Sequence, residues 1–136
     1  MAAPLLREQL RAPLLTGAAG AALAASVVLH DPHVPGSWPV CPFLRLTGVP
    51  CPGCGGLRAA HDLLTGSWTA AASENVYAVV TALLVCGGYV AWLLAASQGR
   101  RPAWADRLPV VTAVWAAGLL VFGAARLLPA LSVLRP

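Results

Sequence analysis

The chain has 136 residues, room for one domain and little more. Its residues are 58% apolar and 10% charged, against about 45–50% and about 25% in a soluble domain. With a mean hydropathy of +0.72, that balance argues against a soluble globular domain, excludes a disordered chain and points to a small integral membrane protein. Four cysteines are too few for a secreted disulfide miniprotein.

The net charge of +4 comes from nine arginines and no lysine against five acids. A nucleic-acid binder gathers such charge on one face. Here the arginines flank apolar runs, as in membrane proteins, so no nucleic-acid partner is expected.

Three stretches free of charge are long enough to cross a bilayer: residues 12–29, 76–97 and 108–125. At about 1.5 Å per residue they reach roughly 27–33 Å, matching a hydrocarbon core of about 30 Å. The first is the least apolar. Arg7 and Arg11 before it, with Ala22-Leu23-Ala24 as a cleavage site, give an alternative reading as a secretory signal. A retained helix is preferred because the apolar run continues through Val27, Val28 and Leu29. Gly17, Ala21 and Ala25 recur four apart, a spacing that lets helices approach closely in a bilayer and that also arises by chance in alanine-rich helices.

Arginine placement sets the expected orientation. Arg7 and Arg11 precede the first span, and Arg100, Arg101 and Arg107 lie between the second and third. The segment 30–75 has only Arg45 and Arg58. The positive-inside rule therefore predicts a cytoplasmic N-terminus and an extracytoplasmic segment 30–75, although Arg126 and Arg135 then fall on the outer side.

Segment 30–75 carries the chemical character. Asp31-Pro32 and Pro35-Gly36 are turn signals, and Trp38 and Trp68 suit the headgroup level. From Gly56 a short amphipathic helix is predicted, with Leu57, Ala60, Leu63 and Leu64 on one side and Arg58 and Asp62 away from it. Thr65-Gly66 ends it, Ser67 can cap a further turn, and Ser73 can cap the second span with Glu74 in its first turn. A helix this short lies in the interface or dips into it.

The most specific feature is Cys51-Pro52-Gly53-Cys54-Gly55. Two thiolates two residues apart can converge on one tetrahedral ion across a glycine-containing turn. Cys41 lies upstream and His61 downstream, so that Cys41, Cys51, Cys54 and His61 supply three sulfurs and an imidazole, the count of a closed structural zinc site. His30 and His33 are substitutes for the fourth ligand. The same residues support two other readings. Cys51 and Cys54, just before a helix, form a redox dithiol if the helix lowers a thiol pKa, with Cys41 resolving the mixed disulfide. Alternatively the cysteines form a structural disulfide or remain reduced thiols that tie the segment together. Cys86, mid-span beside Val85, Gly87 and Gly88, reads as an inert small hydrophobe.

His61 is a metal ligand or a polar-face residue of the short helix. Arg58 stands four residues before Asp62; the simpler reading is a surface ion pair worth about 0.3–0.5 kcal/mol, and the functional one is binding of a lipid phosphate or a partner carboxylate. Asn75, at the mouth of the second span, either bridges to carbonyls of the cysteine segment or simply precedes the membrane.

Cys41-Pro42-Phe43, Leu46-Thr47-Gly48, Cys51-Pro52-Gly53-Cys54-Gly55 and Arg58-Ala59 together resemble a family of short bacterial membrane proteins of unknown function, marked by the signature CP(x)4TGxxCPGCGxxRA. The resemblance covers about residues 31–75. Family members usually carry Thr where this chain has Leu57, and often Asn-Pro where it has Asn75-Val76. The resemblance implies about three membrane helices with a Cys-rich loop, and no catalytic activity.

The expected architecture is an all-α membrane protein forming one domain over residues 1–136, with three transmembrane helices and a Cys-rich loop containing the short helix between the first two. Its expected place is the bacterial plasma membrane. The leading functional expectation is a non-enzymatic module whose loop is held by zinc or a disulfide and contacts membrane lipid, a membrane protein or a second copy through the Arg58 helix. The alternative is a membrane thiol–disulfide oxidoreductase using Cys51 and Cys54. No nucleophile elbow, phosphate-binding loop or H-E-x-x-H motif is present, and no acid lies within a span.

Overall fold

The computed structural model describes residues 3–128, with side chains from Glu8 onward. Arg135 and the side chain of Arg7, both used in the orientation argument, lie outside the described residues. Among these residues the protein is helical, with no strand. Helix α1 spans Ala3–Leu29, α2 Pro42–Thr47, α3 Gly56–Leu64, α4 Trp68–Ser97 and α5 Leu108–Ala125, with a 3₁₀ turn at Ala105–Arg107. Three helical segments are long and apolar enough to cross a membrane: Glu8–Leu29, Trp68–Ser97 and Ala105–Ala125. Their apolar side chains are largely exposed, as the lipid-facing surface of a bilayer protein requires.

The spans run up, down and up. Tyr89 of α4 donates its hydroxyl to Pro13 O of α1 at 3.1 Å and fits against Gly17, where a Cβ would collide with that hydroxyl. The proline sits inside α1 and is fully buried. Gly17 is thus an interhelical contact, but Ala21 and Ala25 are exposed. Positions four apart drift by about 40° around a helix, so the inward seam runs instead through Pro13, Gly17, Ala24 and Val27, alternating toward a seven-residue repeat. Tyr77 of α4 holds α5 by donating its hydroxyl to Trp115 O, stacks on Phe122 at 5.4 Å between ring centroids and fits against Gly118. Trp115 returns a hydrogen bond from Nε1 to Thr81 Oγ1 at 3.1 Å.

Helix α4 is broken at Asn75, whose backbone is extended (φ −163°, ψ 93°). Residues 68–74 form a short arm before the break, and the charge-free run of membrane length begins after it at Val76. Asn75 caps that part: its Oδ1 accepts Ala78 N–H at 2.9 Å. The cap expected from Ser73 does not form. Ser73 lies within the arm and donates back to Ala70 O at 2.7 Å. Ser67 occupies the N-cap position of α4 without a side-chain hydrogen bond.

Helix α3 starts at Gly56, as expected, but turns a different face inward. Ala59 (0% exposed) and Asp62 (7%) are buried, while Leu57 and Leu64 are exposed. In a bilayer protein close helix contacts favour small residues, and apolar side chains have no need to leave lipid. Helix α3 packs on α4, and Ala59 of α3 and Ala71 of α4 are both fully buried. Gly66 ends α3 in a left-handed conformation (φ 87°), which glycine adopts without penalty.

Candidate metal centre

Three cysteines from two backbone segments meet at the end of the bundle where α1 finishes and α4 begins. Cys41 is the residue before α2, a helix absent from the sequence expectation and started by Pro42. Cys51 and Cys54 flank a tight turn closed by Cys54 N–H to Cys51 O at 3.0 Å and Gly56 N–H to Gly53 O at 2.9 Å. Gly55 then takes a left-handed conformation (φ 81°), letting α3 start immediately after the turn.

The sulfurs are free thiols. Cys51 Sγ lies 3.5 Å from Cys41 Sγ and 3.2 Å from Cys54 Sγ, and all three sulfurs lie within 4.8 Å of one another. Thiolates around a tetrahedral zinc at about 2.3 Å stand roughly 3.8 Å apart, so the group surrounds a point at bonding distance. Cys51 N–H points at Cys54 Sγ at 3.2 Å, the backbone-to-sulfur contact expected of such a turn. Cys41, Cys51 and Cys54 are therefore placed to bind a metal ion.

The thiols differ electrostatically. Burial, followed by the hydrogen bond with Cys51, pushes the Cys54 thiol up to about 12. Cys41 is shifted down, first by the Leu44 backbone N–H and then by the Cys51 thiol. The redox reading asks for one easily ionised thiol within the C-x-x-C pair, and Cys54 does not supply it.

The turn is clamped from behind. Asn75 Nδ2 donates to Pro52 O and Cys54 O, both at 3.0 Å, so the bridge from the mouth of α4 to the cysteine segment is present. Arg126, fully buried at the end of α5, donates from Nη1 to Cys54 O at 2.8 Å and Cys51 O at 3.3 Å, and from Nη2 to Glu74 O at 3.0 Å. Its guanidinium covers the Phe122 ring, 4.6 Å from the centroid. Burial lowers its pKa, and proximity to Cys54, Cys51 and Glu74 acts in the other direction. Gly123 lets α5 approach: a Cβ there would lie 3.1 Å from the Pro52 ring.

Arg126 was not among the site residues expected from sequence. The available signal was its position: an arginine ending an apolar span on the side where the charge rule disfavours one. Its burial against the turn accounts for that exception.

His61 does not join the sulfurs. Helix α3 carries it about 7.5 Å along the axis from Gly56, toward the loop that follows α1. There it forms a second group with Asp31 and His33, whose ligand atoms also lie within 4.8 Å of one another. His30, the other substitute ligand, places Nδ1 3.2 Å from Ser26 O. Arg58 pairs with Glu74, Nε to Oε2 at 3.0 Å, in place of the expected Asp62. Asp62 turns inward instead, toward His33 and His61. Cys86 is exposed on the membrane part of α4, away from the other thiols.

Residues 41–98, from the first cysteine through α4, match a family model described as a protein of unknown function (DUF2752). No curated protein and no solved structure matches the chain. The chain is thus similar, over its cysteine segment and second span, to an uncharacterised family.

Proposed function

We propose that the protein is a non-enzymatic membrane module whose segment 30–75 is folded around a zinc ion held by Cys41, Cys51 and Cys54. The observation that carries this reading is the convergence of the three sulfurs within 4.8 Å, on a turn whose carbonyls are fixed by Asn75 and Arg126. Three thiolates outweigh the charge of a dication by one. Arg126 lies where that residual negative charge would face it. Thiolate donation also quenches the Lewis acidity of the ion, which suits holding a loop better than activating water. A donor outside this trio completes the tetrahedron, because His61 is engaged elsewhere.

The module sits in a bacterial plasma membrane with its N-terminus cytoplasmic and the cysteine segment outside. Arg11, Arg100, Arg101 and Arg107 favour that orientation, while Arg58 and Arg126 on the opposite end are engaged by Glu74 and by the turn. Phe43 and Leu46 of α2, the latter 85% exposed, enter the headgroup layer, and Arg58 at the rim of α3, partly exposed while paired with Glu74, meets lipid phosphate or a membrane partner.

The test is zinc release from protein purified in mild detergent without chelator, followed with a chromophoric indicator during titration of the thiols with an organomercurial. Release of one equivalent in step with loss of the loop thiols is expected, and its absence from a Cys51→Ala/Cys54→Ala variant. No release, with a thiol count that rises on reduction, would replace zinc with a disulfide. An impermeant thiol reagent on intact cells, after chelation and reduction, tests orientation: labelling only after lysis would reverse it.

A further inference from the structure

We propose that Asp31, His33 and His61, with Asp62 behind them, form a second metal site, of nitrogen and oxygen ligands, for a borderline divalent cation such as Zn²⁺, Co²⁺ or Ni²⁺. The residues come from two elements: the loop after α1 supplies Asp31 and His33, and α3 supplies His61 and Asp62. Asp31 Oδ1 lies 2.8 Å from His33 Nδ1 and 3.9 Å from His61 Nε2. The far nitrogens of both rings face the other carboxylate: His33 Nε2 is 3.6 Å from Asp62 Oδ2, and His61 Nδ1 is 3.8 Å from Asp62 Oδ1. Two imidazoles thus stand between two carboxylates, each ring with one nitrogen toward Asp31 and one toward Asp62.

The second observation concerns burial. Asp62 is 7% exposed, and its Oδ2 is buried with no hydrogen-bond partner; His61 Nδ1 is buried and unpartnered likewise. Leaving such atoms unsatisfied is costly. A cation at Asp31 Oδ1, His33 Nδ1 and His61 Nε2 would fix both rings with their other nitrogens toward Asp62, so that a small closure of the 3.6 and 3.8 Å gaps supplies the missing partners. Ligand atoms at about 2.0–2.1 Å from a tetrahedral ion stand roughly 3.4 Å apart, between the 2.8 and 3.9 Å seen here. With the metal on His33 Nδ1 and His61 Nε2, the one N–H of each neutral ring lies on the nitrogen facing Asp62, any proton on His33 Nδ1 having moved to Nε2 or to solvent. Asp62 is then the outer carboxylate that accepts from metal-bound histidines and fixes their orientation. Imidazole with carboxylate selects for borderline transition metals over calcium or magnesium. Asp31 and His33 are partly exposed, so the ion exchanges with solvent while tying α3 to the end of α1.

This site is independent of the cysteine centre, and one probe separates them. Cobalt(II) bound by thiolates shows a sulfur-to-metal charge-transfer band in the near ultraviolet. Cobalt(II) bound by nitrogen and oxygen shows only weak visible bands. The full chain in detergent, stripped of metal and reduced, is titrated with cobalt(II), with uptake measured by elemental analysis. The expected result is one equivalent beyond any that produces charge transfer. It should be lost in His33→Ala/His61→Ala, with the charge-transfer band or the helical circular dichroism unchanged as the control for folding. Asp62→Asn should weaken that equivalent by about 10–100-fold without removing it. An additional equivalent without any charge transfer would sustain this site while removing the cysteine one. Uptake limited to the thiolate-bound equivalent would overturn the proposal. So would uptake unchanged by the double substitution, the result expected if the imidazoles serve only as protonated partners of the two carboxylates.

Discussion

Replacing Asn75 by alanine should release the cysteine turn without unfolding the bundle. Asn75 is 2% exposed and makes three hydrogen bonds: to Pro52 O, to Cys54 O and from Ala78 N–H. Cys54 O keeps Arg126 Nη1 at 2.8 Å, so its loss is small. Pro52 O loses the Asn75 amide, for about 1–2 kcal/mol. The Ala78 N–H loses its cap, for about 1 kcal/mol. The sum is about 2–3 kcal/mol, of which the Pro52 part, about 1–2 kcal/mol, acts on the turn and the cap part on the start of α4. With 1.4 kcal/mol per factor of ten, the Pro52 part makes opening of the turn about 10-fold more favourable. The assay is the reaction rate of Cys51 and Cys54 with a disulfide reagent, in reduced, metal-free protein, where labelling follows the population of the open form. The Asn75→Ala rate should rise by about tenfold while far-ultraviolet circular dichroism stays that of a helical bundle. A rate within about threefold of wild type, with helicity retained, would mean that the amide bridge does not hold the turn.

Arg126→Met should destabilise the same junction by about 2 kcal/mol, chiefly because Glu74 O loses a charged donor while Cys51 O keeps Cys54 N–H; Arg126→Lys should rescue it poorly because one ammonium cannot reproduce the planar fork, and thermal aggregation in detergent reads both. Gly123→Val should cost about 1–3 kcal/mol by forcing α5 away from the Pro52 ring, seen as a lower aggregation temperature and faster labelling of the turn; Gly20→Val, where nothing lies within 4 Å, is the control. In reduced, metal-free protein burial should push the Cys54 thiol from its ordinary value of 9.0 up to about 12. Folding therefore favours its neutral form, so its contribution to stability is fully present below about pH 9 and is lost as pH rises toward about 12. Ultraviolet thiolate absorbance compared between wild type and Cys54→Ser should show that late step, and a Cys54 titration near 9 in the folded protein would contradict the burial argument.

Much of the architecture was legible in linear order because it rests on local properties. Charge-free runs of sufficient length identify the three spans whatever their packing. The Cys-Pro-Gly-Cys-Gly run specifies a turn that brings two sulfurs together, because its span is short and its glycines permit the backbone. Long-range partners were not legible in the same way. Helical spacing correctly located α3, yet Ala59 and Asp62, not the leucines, turn inward, because a bilayer removes the drive to bury apolar side chains. The expected Arg58–Asp62 pair also failed, since Glu74 on the neighbouring arm is the nearer acid to Arg58 once α3 packs on α4.

Composition, the spans and the cysteine turn were thus set by sequence alone, through hydropathy and the short reach of a two-residue spacer. Tertiary structure decided which distant groups complete the site. It brings Arg126 from the end of α5 onto carbonyls of Cys51 and Cys54, and it sends His61 to Asp31 and His33 rather than to sulfur. The physical reason is common to both. Which polar groups come within reach of one another depends on how the helices pack, a three-dimensional relation that spacing along the chain does not encode.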